Sequence, residues 1–163
     1  MEGRYADALP HYRRFLEMDP KNPFAAWTWS YVLLRNGRTD EAAEVVRQLS
    51  TDHTGSFLAQ LGTALFHGVC AEPDAARESV TDELRAAARN TELLSRELTH
   101  CLALSGETED ALNWLENTVR IGNINYPFWS RHNAWVDSIR SHSRFDAKMR
   151  EVKREWLSAT SRS

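Results

Sequence analysis

One segment of this chain returns, altered but recognisable, every 34 or 35 residues, and no other feature limits its possible folds as strongly. Gly3-Arg4-Tyr5-Ala6-Asp7-Ala8 aligns with Gly37-Arg38-Thr39-Asp40-Glu41-Ala42. Ala8, Ala42, Ala76 and Ala111 follow at spacings of 34, 34 and 35, and each has an apolar residue four positions later: Tyr12, Val46, Val80 and Leu115. Five positions before each Ala stands a small residue, Gly3, Gly37, Ala71 or Gly106. The small residue marks a place where one helix ends and the chain turns sharply into the next. The Ala lets two helix backbones approach, and the apolar residue one turn on lies on the same face and fills the space beside it. A period of this length is one helix pair, which buries its apolar face only against neighbouring copies.

Gly3, Tyr5, Ala8, Tyr12, Leu16 and Pro20, followed by Ala26, Trp29, Leu33, Gly37, Ala42, Val46 and Leu49, resemble the tetratricopeptide repeat. Ser95, Leu98, Leu102, Gly106, Thr108, Ala111 and Leu115 restore the pattern further on, with Ser30 and Thr99 where the family has its first-helix glycine. Leu58, Leu61, Gly62 and Leu65 fit only if about two residues are inserted around Gly68 to Glu72. The resemblance implies an all-α fold, a right-handed α-α superhelix (solenoid) of antiparallel helix pairs with a C-terminal capping pair. Repeat units are expected over 3–20, 23–54, 56–89 and 92–122, with the cap over 126–157, in a single domain spanning 1–163. Gly3 to Asp19 corresponds to a second helix without its first, so the chain is expected to be a fragment of a longer one. Phe128, Trp129, Trp135, Ile139, Phe145, Met149, Val152 and Trp156 form the apolar side of the cap. The turn Ser141-His142-Ser143-Arg144-Phe145 is similar to the terminal element of tetratricopeptide segments attached to bacterial kinases, cyclases and winged-helix regulators.

Local signals predict helices over 5–18, 23–36, 39–50, 55–67, 73–89, 92–105, 108–121, 127–140 and 143–157. Pro23 and Pro73 fit first-turn positions, while Thr39, Thr108 and Ser143 are candidate caps. Pro10 removes a backbone donor inside the first helix and is expected to bend it. The tail Ser158 to Ser163 is small and polar and is expected to fray.

At 163 residues with 42% hydrophobic content, the chain can bury a real core. Twenty Lys+Arg against 23 Asp+Glu give a net charge of −3, so no bulk positive field draws it to nucleic acid or anionic lipid. The opening residues lack the apolar core of a signal peptide, and no apolar run reaches the roughly 18 residues of a spanning helix, so a cytoplasmic protein without membrane contact is expected. Cys70 and Cys101 are read as two buried thiols. No nucleotide loop, nucleophile elbow or HExxH occurs, and the six histidines form no i, i+4 pair. An enzyme, a metal site and a cofactor are therefore not expected.

What the resemblance implies instead is a protein-interaction scaffold, in which first helices line a concave groove for a protein or peptide ligand. By register that groove receives Phe24, Trp27, Tyr31, Leu34 and Arg35, then Ala59, Phe66 and His67, then Arg96 and His100. Trp, Tyr and Arg carry much of the energy at interfaces because they bury large area at low entropy cost. Trp29 and Leu33 are assigned to the core, and packing against a neighbouring helix is the alternative role for Trp27 and Phe24. The family's Lys/Asn clamp for acidic carboxyl termini is absent, since Trp27, Tyr31, Ala59 and Thr63 stand at its positions. The rival class is an RNA-binding repeat using the basic stretch Arg140, Arg144, Lys148, Arg150, Lys153 and Arg154. Oligomeric state is left open.

Overall fold

The computed structural model describes residues 4–161. Gly3, first of the small-residue column, lies outside the described residues, as do Arg162 and Ser163 of the polar tail. Among the described residues the fold is all-α with no strand, and helices adjacent in sequence pack on one another as in a helical repeat solenoid. The chain divides into two compact units, residues 4–84 and 85–161.

The first unit comprises α1 (Tyr5–Met18), α2 (Pro23–Arg35), α3 (Thr39–Asp52), α4 (Phe57–Val69), α5 (Pro73–Glu78) and the start of α6 (Asp82–Ala88). Asn22 caps α2 by accepting from the Phe24 and Ala25 N–H groups, and Ser56 caps α4 by accepting from Ala59. Thr39 and Thr108 are instead the first residues of their helices and make no capping bond. Helix α1 continues through Pro10, and none of its residues is buried. Helix α3, by contrast, packs on both α2 and α4 and buries Ala42, Val46 and Leu49.

The small-residue column is a column of left-handed backbones. Gly37, Ala71 and Gly106 have φ of +69°, +59° and +79°. Each closes its helix with the same pair of bonds, illustrated by Gly37 N–H to Leu34 C=O and Arg38 N–H to Leu33 C=O. Ala71 does the work of a glycine with a Cβ attached. It also removes the expected insertion around Gly68 to Glu72, because α4 begins and ends 34 residues after α2. The extra residue of the next period falls later. The helix expected over 73–89 breaks at Ser79–Thr81: the Ser79 hydroxyl donates to Ala75 C=O, and Thr81 Oγ1 donates to Gln60 Oε1 and accepts the Leu84 N–H.

The second unit holds the last turn of α6, α7 (Glu92–Leu104), α8 (Thr108–Arg120) and α9 (Ser143–Thr160). The helix expected over 127–140 is a π turn, Phe128–His132, followed by a 3₁₀ turn, Ala134–Ile139. Arg140 explains how this irregular backbone survives. Its guanidinium donates to the carbonyls of Trp129 (3.0 Å), Ser130 (2.8 Å) and Asn133 (3.0 Å), acceptors that a regular helix would satisfy itself. Phe128, Trp129, Trp135, Ile139, Phe145, Met149 and Val152 are buried as the cap requires, and Trp156 is half-buried. His142, not Ser143, caps α9, and the helix takes in Ser158 to Thr160 of the expected frayed tail. No helix among the described residues is long and apolar enough to cross a membrane.

Candidate interaction site

In the first unit the aromatic residues of α2 form a ladder. Phe24 meets Phe15 of α1 edge-on (6.3 Å) and stacks on Trp27 (5.8 Å), and Trp27 lies 5.6 Å from Tyr31. Arg35 extends the ladder. Its Nε and Nη2 donate to the Tyr31 hydroxyl (3.1 and 2.9 Å), and its guanidinium sits 5.1 Å from the rings of both Tyr31 and Tyr5. The phenol and the guanidinium hold each other in place, so both are pre-ordered.

Trp27 is a correction to the register. It is only 3% exposed, whereas Trp29 is half-buried. The indole packs against α4 at Gly62, where a Cβ would lie at ordinary van der Waals distance, 3.7 Å from Trp27 Cδ1 and 3.5 Å from Leu49 Cδ2. Trp27 is thus packing between α2 and α4, and its buried Nε1–H makes no hydrogen bond among the described residues. The ladder's open end is Phe24, 42% exposed, with Tyr31 and Arg35 half-buried beyond it. On α4, Phe66 and His67 are half-buried and in edge-to-face contact at 5.5 Å, and His67 Nδ1 lies 2.5 Å from Glu72. Phe57, 36% exposed at the start of α4, was not singled out by the repeat columns, because its position corresponds to Pro23.

The second unit treats its expected groove residues differently. His100 is fully buried, as are Glu97 and Asn133. His100 has a partner on each ring nitrogen, Asn133 Nδ2 at 2.8 Å from Nε2 and Glu97 Oε2 at 2.9 Å from Nδ1. Arg96 is half-buried and spent on ion pairs with Glu97 (3.0 Å) and Glu92 (3.4 Å). Three rings enclose the imidazole, Phe128, Trp129 and Trp135, the last at 5.5 Å. A histidine so enclosed and bonded on both nitrogens holds the cap onto α7 and presents nothing to a ligand. The sequence signal was the Glu three residues before the His on one helix face; Asn133, 33 residues away, had none.

The basic C-terminal stretch is also mostly committed. Arg140 is bound to the cap carbonyls, Arg144 pairs with Glu109 (2.7 Å) and Glu116 (2.9 Å), Lys148 pairs with Glu151 (2.7 Å), and Lys153 lies over Tyr126. Both thiols are pushed towards the neutral form. Burial pushes Cys101 well above the usual thiol range, and half-buried Cys70 is raised by burial and by the Glu72 and Asp40 carboxylates.

A family model of the tetratricopeptide repeat matches residues 1–62. This stretch is similar to tetratricopeptide repeats, a family that generally mediates protein–protein interaction and is not catalytic. No curated protein matches the chain.

Proposed function

We propose that the chain is a non-catalytic protein-interaction scaffold that captures a peptide or protein segment on the first-helix faces of residues 4–84. The observation that carries this is the aromatic ladder of α2. Phe24 is 42% exposed at one end, and Tyr31 is held rigid by Arg35 at the other, on a buried Trp27. A rigid aromatic row with an exposed end suits an apolar anchor in an extended or helical peptide. Phe66 and His67 of α4 belong to the same proposed surface. The similarity of the Ser141–Phe145 turn to segments joined to bacterial signalling proteins supports a role as a regulatory module of a larger cytoplasmic signalling protein.

Peptide-library selection against the whole chain tests the reading. Enriched peptides with an apolar anchor should bind Phe24→Ala at least 10-fold more weakly, a loss of about 1.4 kcal/mol or more, with its melting unchanged. Trp27→Ala should instead lower stability by about 3–5 kcal/mol, as expected for emptying a packed aromatic site. If no peptide is enriched, or enriched peptides bind Phe24→Ala as well as the parent, the surface is not the docking site.

A further inference from the structure

The geometry points to a second docking site, in the unit 85–161, for an acidic peptide segment lying across the outer face of α8. Two clefts flank that face. One, of about 330 Å³, is lined by Arg85, Arg89, Asp110 and Trp114; the other, of about 470 Å³, by Glu116, Arg120, Lys148 and Glu151. Asn113 and Asn117 of α8 line both, so the clefts are neighbours sharing one wall.

Charge decides what such a trough takes. Every carboxylate lining it already has a cation: Asp110 has Arg85 (3.0 Å), Glu116 has Arg144 (2.9 Å) and Glu151 has Lys148 (2.7 Å). Arg89 and Arg120 have no carboxylate among the described residues. The first cleft therefore carries one surplus positive charge, Arg89, while in the second Arg120 stands without a carboxylate partner in a balanced lining, Glu116 sharing Arg144 with Glu109.

Arg120 is also fixed in place. It donates to the Arg89 carbonyl (3.0 Å) and to Asn117 Oδ1 (2.8 Å), which leaves part of its planar fork free to take a carboxylate without paying to order the side chain. Each cleft is several times the size of a small inorganic oxyanion, and buried Trp114 supplies an apolar wall for the methylenes of a Glu side chain. Two adjoining clefts, each lined by one guanidinium that has no carboxylate partner among the described residues, fit two carboxylates on one peptide. This site is independent of the α2 surface.

The test is titration of the whole chain with hexaglutamate, hexaglutamine, inorganic phosphate and a short RNA, followed by the side-chain amide NMR signals of Asn113 and Asn117 and the Trp114 indole signal. Hexaglutamate should shift these signals at sub-millimolar concentration and hexaglutamine should not, with affinity falling several-fold between low and physiological salt. Arg89→Gln and Arg120→Gln should each weaken hexaglutamate at least 5-fold. Arg89→Gln is the safer variant, because that side chain makes no bond among the described residues, and Arg150→Gln on α9 should change nothing. Phe24→Ala should leave this titration untouched, which separates failure here from failure of the α2 reading. The proposal is overturned if hexaglutamate gives no shift, if Arg89→Gln binds it equally well, or if phosphate or RNA alone occupies the site with higher affinity.

Discussion

A single methyl group separates Ala71 from its counterparts Gly37 and Gly106. All three have left-handed backbones, at φ of +59°, +69° and +79°, and all end a helix through the same pair of bonds. The left-handed region puts Cβ against the following carbonyl, a strain of about 1–2 kcal/mol that glycine avoids. Ala71→Gly should therefore stabilise the chain by about 0.5–1 kcal/mol, reduced from the full strain by the extra freedom glycine has when unfolded. Gly106→Ala should destabilise by about 1 kcal/mol, and the cause would be backbone alone, since nothing lies within 4 Å of a Cβ built there. Urea denaturation of the two variants checks the opposite signs; a loss of stability in Ala71→Gly would refute the strain argument. The same column shows what sequence could reveal at this scale. A small residue at a fixed place announced a turn at Gly37, Ala71 and Gly106. It could not reveal that Trp27 would lie under Gly62, because that depends on which helix of a neighbouring pair approaches closely.

At the scale of elements, the 34-residue period fixed where α2, α3, α4, α7 and α8 begin and end to within about three residues, because each helix repeats its signals locally. The break at Ser79–Thr81 and the π and 3₁₀ turns after Pro127 escaped it. Each depends on a side chain reaching a distant partner: Thr81 reaches Gln60, Asn133 reaches His100, and Arg140 gathers three carbonyls. The cap therefore makes Arg140 a structural residue, although its charge invites a surface role. Arg140→Ala should cost about 2–4 kcal/mol, the result of leaving several half-buried carbonyls unpaired. Arg140→Lys should recover less than half of that, since one ammonium cannot span what a planar fork spans. Trp129 and Trp135 report on this segment, so denaturant unfolding followed by tryptophan fluorescence measures it. Equal stability of parent and Arg140→Ala would mean that the π and 3₁₀ turns are held by packing alone.

For the molecule as a whole, the unequal burial of its helices sets an order of local opening. Helix α7 buries nine of its thirteen residues, among them the Glu97–His100 pair, and packs on α8 and on the 3₁₀ turn. Helix α1 buries none of its fourteen residues and packs chiefly on α2; Tyr12, at the repeat position of buried Val46, is 36% exposed. Local opening costs little where few apolar contacts are lost and approaches the global stability where many are. Native-state hydrogen exchange should then place the amides of α1 at about 1–2 kcal/mol of protection. Those of α7 should exchange only with unfolding of the 85–161 unit. Pro10 pushes in the same direction, because it lacks the N–H that would tie the middle of α1 to its preceding turn. A peptide captured by Phe24 would change this order in a defined way. It should raise the protection of α2, and of α1 through the Phe15–Phe24 contact, by up to RT ln(1 + L/Kd) at free peptide concentration L, and leave α7 unchanged. Uniform protection of α1 and α7 in the free chain would contradict the burial argument, and ligand protection appearing on α7 but not on α2 would move the docking site out of the first unit.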